Sequence, residues 1–545
     1  MERNLKVGER LSSACEKNRS ALRILKRFRS HERSTDRSHD NVANNLGEDC
    51  DLTGKKGLVL GAFICGDEMK LSSTAQKFNE CTGCKISDFL NDLCTPMKLG
   101  NSIVFTNLDP EYFNVCVVSV GKEEVGYNRI EELDECKENV RVAAGTGARK
   151  LRETGVTAIN FDGMGHPESA AEGAQLAVWR YQDFKCKDDQ VKIANVDLYG
   201  DDDKEAWTRG ILKAEAQNIA RRLSDCPANC MTPAIFAQTA IDILCPCGIQ
   251  IEVRDKDWLE TKKMNAFLSV AKGSCEPPVF LELGYCGGSV EEKPIVLIGK
   301  GVTFDTGGLC LSAARGMDEM RADMAGAAVV LGVVKAAASM SLPLNIRGLI
   351  PLCENMPSGM ALKPGDVVHS MAGKTILVQD TGHEGRLCIA DAMTYGQIEY
   401  KPRMLIDVAT LTTGMKKALG AGATGVFSND EDLWKELQKA GSITGDRVWR
   451  FPLWQHFTDK VINFPEVDLH NVGLGVGGGP CLGAAFLQEF VCVDWLHLDI
   501  AGTGMQSHGE EIPYLPKGRM TGRPVRTIVQ FLYQIACLGN KGDDD

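Results

Sequence analysis

The sequence predicts an α/β protein: a small N-terminal α/β domain, a connector helix, and a larger C-terminal α/β domain with a mostly parallel central sheet. Three observations predict it. In the second half of the chain, continuous apolar runs alternate with helical patterns, as parallel strands covered on both faces require. A chain of 545 residues exceeds what one ordinary core accommodates. Between the two regions lies a long helical pattern, with Pro227 close behind its end.

Taken in order, residues 1–54 read as a basic arm. Over 17–37 there are eight Lys or Arg against two acids, Glu32 and Asp36, with an apolar set at Leu22, Ile24, Leu25 and Phe28. An Arg-rich, Ser-rich amphipathic segment suits mitochondrial import. A solvated arm accounts for the same residues, and Glu2, Glu9 and Glu16 upstream favour it. Residues 55–202 form the small domain, with strands expected at 58–64, 102–108 and 115–120 and helices at 131–151 and 168–180. The connector helix occupies 203–225. The large domain, 226–538, carries buried strands at 295–298, 346–352, 404–408 and 495–500, and helices at 317–340 and 388–400. A glycine-rich loop covers 473–480, and an acidic tail, 539–545, ends the chain.

Composition excludes some classes. A formal charge of −12 and a pI near 5.4 argue against a nucleic-acid partner, since phosphate binding needs a basic face. No run reaches the roughly 18 unbroken apolar residues of a membrane span. The nearest, 325–340, is interrupted by Lys335 and reads as a buried helix. The 21 cysteines are odd in number, irregularly spaced and not preceded by a secretory signal, which predicts reduced thiols in an intracellular protein. Cys81 and Cys84 form a single Cys-x-x-Cys, lacking the second pair of a tetrahedral zinc site.

Three segments gather charged groups where strands end. Residues 298–308 (IGKGVTFDTGG) put Lys300 and Asp305 in a glycine-rich loop. Residues 317–326 (MDEMRADMAG) place Asp323 early in a helix. Residues 380–387 (DTGHEGRL) offer Glu384 and Arg386 just before another helix. Singly, each acid suits a helix cap or a surface charge. Jointly they suit divalent ions, which take several oxygen ligands and serve hydrolysis best as a pair about 3.5–4 Å apart. A lysine joins such a shell only as the neutral amine, which requires burial beside the cation.

These motifs, with PLCENMPSG at 351–359, KPGDV at 363–367, ATLT at 409–412, GDRVWR at 445–450, HLDIAG at 497–502 and MTGRP at 520–524, resemble the leucine aminopeptidase family. The resemblance implies a two-metal exopeptidase that releases N-terminal leucine, uses zinc, manganese or magnesium, and assembles as a homo-hexamer. One metal site would use Lys300, Asp305, Asp323 and Glu384. The other would share Asp305 and Glu384 and add an aspartate that falls on Gly382. Arg386 matches the residue that holds a bicarbonate general base. Ser312 replaces a lysine that donates to the developing gem-diolate.

Two replaced positions imply a catalytically impaired homologue with a structural or binding role, keeping one tight divalent ion per subunit. It is similar in kind to insect sperm members of the family with eroded sites. Such a protein would be cytoplasmic, mitochondrial or part of the sperm tail, with a peptide-like ligand. An active metallo-aminopeptidase is the alternative. Asp380 and His383 are the chemically able substitutes for the missing ligand. On an extended chain, however, Asp380 lies about 6–7 Å back and His383 projects to the opposite side.

Overall fold

The computed structural model describes residues 55–462, 464–505 and 512–537. The arm, the Lys17 to Arg37 stretch included, and the acidic tail lie outside the described residues.

The small domain is built on β1 (Lys56–Cys65), β2 (Ser102–Thr106), β3 (Asn114–Lys122), β4 (Ala158–Asp162) and β5 (Asn195–Tyr199), in the order β2–β3–β1–β4–β5, with a sixth strand, Glu68–Leu71, paired to β1. Residues on β1 alternate between two cores. Leu58, Leu60 and Ala62 enter one, and Val59 the other. Period-two alternation between two apolar layers is why the run reads as unbroken hydrophobicity. Helix α1 (Glu135–Glu153) begins four residues later than expected, because the Asp134 carboxylate accepts from Lys137 N–H at 3.3 Å and caps it there. It packs on α2 (Pro167–Val178).

The connector, α3 (Lys204–Asp225), is capped by Asp203, whose Oδ1 accepts from Glu205 and Ala206 N–H at 2.9 and 3.0 Å. It crosses α2 at close range. A Cβ on Gly210 would lie 2.2 Å from the Glu168 carbonyl oxygen, so only glycine fits the crossing.

The large domain's strands are β6 (Gln250–Arg254), β7 (Val279–Cys286), β8 (Ile295–Gly299), β9 (Gly301–Asp305), β10 (Asn345–Asn355), β11 (Met404–Ala409), β12 (Thr424–Ser428), β13 (Val448–Arg450) and β14 (Asp494–Asp499). They run β13–β12–β14–β11–β8–β10–β7–β6, with β9 also on β10. The centre, β14–β11–β8–β10, is parallel, while β12 meets β14 antiparallel and β6 and β7 add an antiparallel edge. The mostly parallel sheet expected from sequence is present, with its antiparallel flanks unforeseen. Ile295 and Leu297 enter the core under α4 (Ala325–Ser339), and Val296 and Ile298 the one under α5 (Gly385–Tyr400).

The helix expected over 317–340 is two pieces. A 3-10 turn, Met317–Ala322, ends at Asp323, and α4 starts at Ala325. Met324, at φ −101° and ψ 11°, is outside the helical region and breaks the run. Asp323 therefore sits in the break before a helix and not early within one. The described stretch 317–339 is long and apolar enough for a membrane span by composition, yet 83% of its apolar window is buried in the fold. Helix α5 begins three residues earlier than expected and so includes Arg386.

A buried ionic cluster joins the domains. Arg526 Nη1 meets Glu172 at 2.7 Å and its Nη2 meets Asp446 at 2.9 Å; Arg141 Nε reaches the same Glu172 at 2.6 Å. Each charge is paired, as full burial demands. The 18 cysteines whose side chains are described are free thiols, and Cys81 and Cys84 are both exposed.

Candidate metal centre

All the singled-out residues lie beyond the carboxyl ends of the central strands. Lys300 follows β8, Asp305 ends β9, Asp323 precedes α4, and Glu384 stands at the N-terminus of α5. One carboxylate oxygen from each of Asp305, Asp323 and Glu384 lies within 4.8 Å of the others. All three are buried, and among the described residues they form the one such group of His, Cys, Asp or Glu. Among the described residues, Cys81 and Cys84 belong to no such group.

Lys300 Nζ sits among them, 2.8 Å from Asp323 Oδ2, 2.7 Å from Glu384 Oε1 and 3.1 Å from the Thr410 carbonyl oxygen. Gly385 makes room for it, since a Cβ there would lie 2.6 Å from Lys300 Cε. Burial alone would favour the neutral amine, but Asp323, Glu384 and Asp305 outweigh it and hold the ammonium above the usual lysine range. Lys300 is therefore the ammonium, contrary to the neutral amine expected from sequence; a divalent charge among these acids would oppose it.

The acids show the converse. Burial, reinforced by Glu384, pushes Asp305 up to about 7, and burial pushes Asp323 well above the carboxylate range. Among the described residues, the Lys300 ammonium is the one partner of Asp323 Oδ2 and Glu384 Oε1. Three crowded, buried carboxylates around a single ammonium are the donor set of a hard or borderline divalent cation.

Neighbours that sequence reasoning assigned no role hold this set. Thr410 Oγ1 donates to Asp323 Oδ1 at 2.6 Å, and Asn355 Nδ2 donates to Asp305 Oδ1 at 2.7 Å. Asp499 accepts from Thr412 Oγ1 at 2.6 Å and Leu411 N–H at 3.2 Å, fixing the loop that carries Thr410. Thr410 and Asp499 lie within the quoted motifs, but nothing local distinguishes them from core polar residues.

Arg386 is 1% exposed and donates through Nη1 to the Asn471 carbonyl. Its Nε has no hydrogen-bond partner among the described residues. Burial brings the guanidinium down to about 10 against the pull of Glu384 and Asp499. A buried cation with an unused donor suits a small anion.

Gly382 and Ser312 also lie here. Gly382 offers no side chain, with Gly307 Cα 3.6 Å from where its Cβ would be. Ser312 is exposed and donates its N–H to the Thr306 carbonyl at 2.7 Å. Its Oγ packs over Gly307, whose φ of +84° and lack of a Cβ permit the approach. Contrary to the extended chain assumed from sequence, 380–383 is a turn. His383 N–H donates to the Asp380 carbonyl at 3.3 Å, and Gly382 N–H to Asp380 Oδ1 at 2.8 Å.

The profile of the cytosol aminopeptidase family's catalytic domain matches residues 218–529, and that of its N-terminal domain matches 59–188. The chain belongs to the cytosol aminopeptidase family. It is 46% identical to the cytosol aminopeptidase of Bos taurus over 488 residues, covering 88% of this chain and 93% of the bovine protein. With the Homo sapiens cytosol aminopeptidase it is 45% identical over the same shares. Among solved structures, the bottromycin maturation enzyme BotP superimposes with a TM-score of 0.74 at 28% identity, covering 88% of this chain and 99% of that one, and a second BotP structure contains Mn. Membership in the cytosol aminopeptidase family agrees with the resemblance read from the motifs, and its fold accounts for the carboxylate group.

Proposed function

We propose that this chain is a catalytically impaired member of the cytosol aminopeptidase family that keeps one tight divalent ion and serves as a binding or structural protein. Lys300, Asp305, Asp323 and Glu384 would hold the ion, whether zinc, manganese or magnesium. Arg386 would hold a bicarbonate-sized anion. A cation there supplies Lewis acidity toward a peptide carbonyl and lowers the pKa of water.

The observation that carries the reading is the pair of absences at one site: no side chain at Gly382, and a short hydroxyl at Ser312 folded against Gly307. Ser312 cannot extend an ammonium toward a developing oxyanion. Losing one such donor costs about 10²–10³ in turnover.

The finer features follow the same reading: a homo-hexamer located in the cytoplasm, the mitochondrion or the sperm tail. The second reading, an active aminopeptidase releasing N-terminal leucine, is favoured by the names of the mammalian relatives at 45–46% identity. Leucyl-anilide hydrolysis and metal content, measured on one purified sample, separate the two. Near-background turnover with one ion supports impairment, and ordinary turnover with two ions refutes it.

A further inference from the structure

We infer that Cys353 and Cys388 are a redox pair that closes to a disulfide under peroxide, and that closure loosens the ion site beside it. The second half rests on the reading that Lys300, Asp305, Asp323 and Glu384 hold an ion. The first half does not.

The two sulfurs lie 3.9 Å apart, a contact with no room for an atom between them. Both side chains are 0% exposed. Cys353 comes from the end of β10 and Cys388 from the first turn of α5, the helix packed against that strand. A disulfide holds its sulfurs about 2.05 Å apart, so closure must remove nearly half the present separation. The strand resists this, because β10 is hydrogen-bonded to β7, β8 and β9. The first turn of a helix is less restrained, since its N–H groups lack partners within the helix. Closure therefore moves α5.

Each cysteine stands directly behind a member of the ion site. Cys388 N–H donates to the carbonyl of Glu384 at 3.3 Å. Two residues beyond Cys353, Asn355 Nδ2 donates to Asp305 Oδ1 at 2.7 Å. Metal ligands keep their distances within about 0.2 Å, so a small shift of the first turn of α5 takes Glu384 out of the shell. Conversely, an ion that grips Glu384 holds the turn and keeps the thiols apart. Ion binding and closure oppose each other, and the opposition is reciprocal.

The chemistry is a two-electron oxidation. One thiol sulfur attacks an oxygen of hydrogen peroxide, the O–O bond breaks, and a sulfenic acid and a water result. The neighbouring sulfur then attacks the sulfenic sulfur, forming the S–S bond. The sulfenic oxygen leaves with the second thiol's proton as water. Two thiols and one peroxide give one disulfide and two waters. Peroxide is small enough to enter a briefly opened turn, and the resolving thiol is already in contact. Burial and the contact with Cys353 hold Cys388 well above the usual thiol range, which keeps the reaction slow while α5 is seated.

The test treats full-length protein, Mn²⁺-loaded and chelator-stripped, with hydrogen peroxide. Remaining thiols are alkylated in denaturant and the peptides read by mass spectrometry. Expected is a Cys353–Cys388 cross-link that forms faster in the stripped protein. Mn²⁺ affinity should fall about 10–100-fold on closure and return with dithiothreitol. Cys353→Ala and Cys388→Ala should bind Mn²⁺ as untreated wild type does and keep it under peroxide. Those variants separate closure from oxidation of exposed thiols such as Cys81, Cys84 and Cys310. No cross-link in the stripped protein, a cross-link without loss of affinity, or equal loss in both variants overturns the proposal. Untreated protein without tight Mn²⁺ would refute the ion-site reading, and the cross-link, read by mass, would still decide the pair. Thermal melts establish that both variants are folded.

Discussion

The Thr410 hydroxyl donates to Asp323 Oδ1 at 2.6 Å, while the Thr410 carbonyl accepts from Lys300 Nζ at 3.1 Å, so one residue orients both an acid and the base of the carboxylate group. Thr410→Val keeps the shape and removes the hydroxyl. Affinity for the tight ion should fall about 10–100-fold, the usual cost of losing a group that orients a ligand. Thr410→Ser should retain it. Competition with a chelating dye measures both.

Gly385→Ala is expected to abolish tight binding by a different route. The added Cβ would lie 2.6 Å from Lys300 Cε and 2.9 Å from its Nζ. Either Lys300 moves out of the acids or α5 shifts, at roughly 1–3 kcal/mol of overpacking. Elemental analysis after dialysis should show the loss, with melting shifted only modestly.

Hydrolysis of leucyl substrates should be near background, and Gly382→Asp with Ser312→Lys should restore more than the two single changes predict. Groups that serve one transition state are non-additive. Steady-state rates of the four proteins with zinc and with manganese test this. Wild-type turnover of about 1–10³ per second would refute the impairment.

His497 Nδ1 lies 2.6 Å from Asp407 Oδ1, both fully buried. Burial alone would lower the imidazole pKa, but Asp407 outweighs it and the folded value is raised above the ordinary one. The stabilisation is therefore complete below about pH 6.5 and is lost as pH rises through the folded pKa. Wild-type Tm should decline over that rise. His497→Gln, whose amide donates without titrating, should flatten the slope.

Assembly should not need the ion. Light scattering of chelator-treated protein is expected to report a particle of about six chains, because packing surfaces outlast the erosion of a site. A monomer after treatment would contradict this.

Much of the architecture was legible because periodicity reports burial directly. The run at 295–298 has an apolar residue at every position, which only a strand between two cores requires, and Ile295 and Val296 do face opposite layers. Lys300, Asp305, Asp323 and Glu384 were legible through long motifs. Helix limits were less so: α1 waits for the Asp134 cap, and the break at Asp323 to Met324 has no local signature.

By itself, the sequence determined the alternation of strands and helices, the acids available to a cation, and the small side chains at Gly382 and Ser312 on which the impairment proposal rests. Those are properties of residue type and spacing. Only the tertiary structure decided that three acids and Lys300 converge, that Thr410 and Asn355 orient them, and that Asp380 folds back over Gly382 to meet His383. The reason is physical. Convergence depends on strands brought together by pairing and burial across more than a hundred residues, and the fold-back depends on a turn clamped by Asn471 and Asn355. No local pattern encodes either.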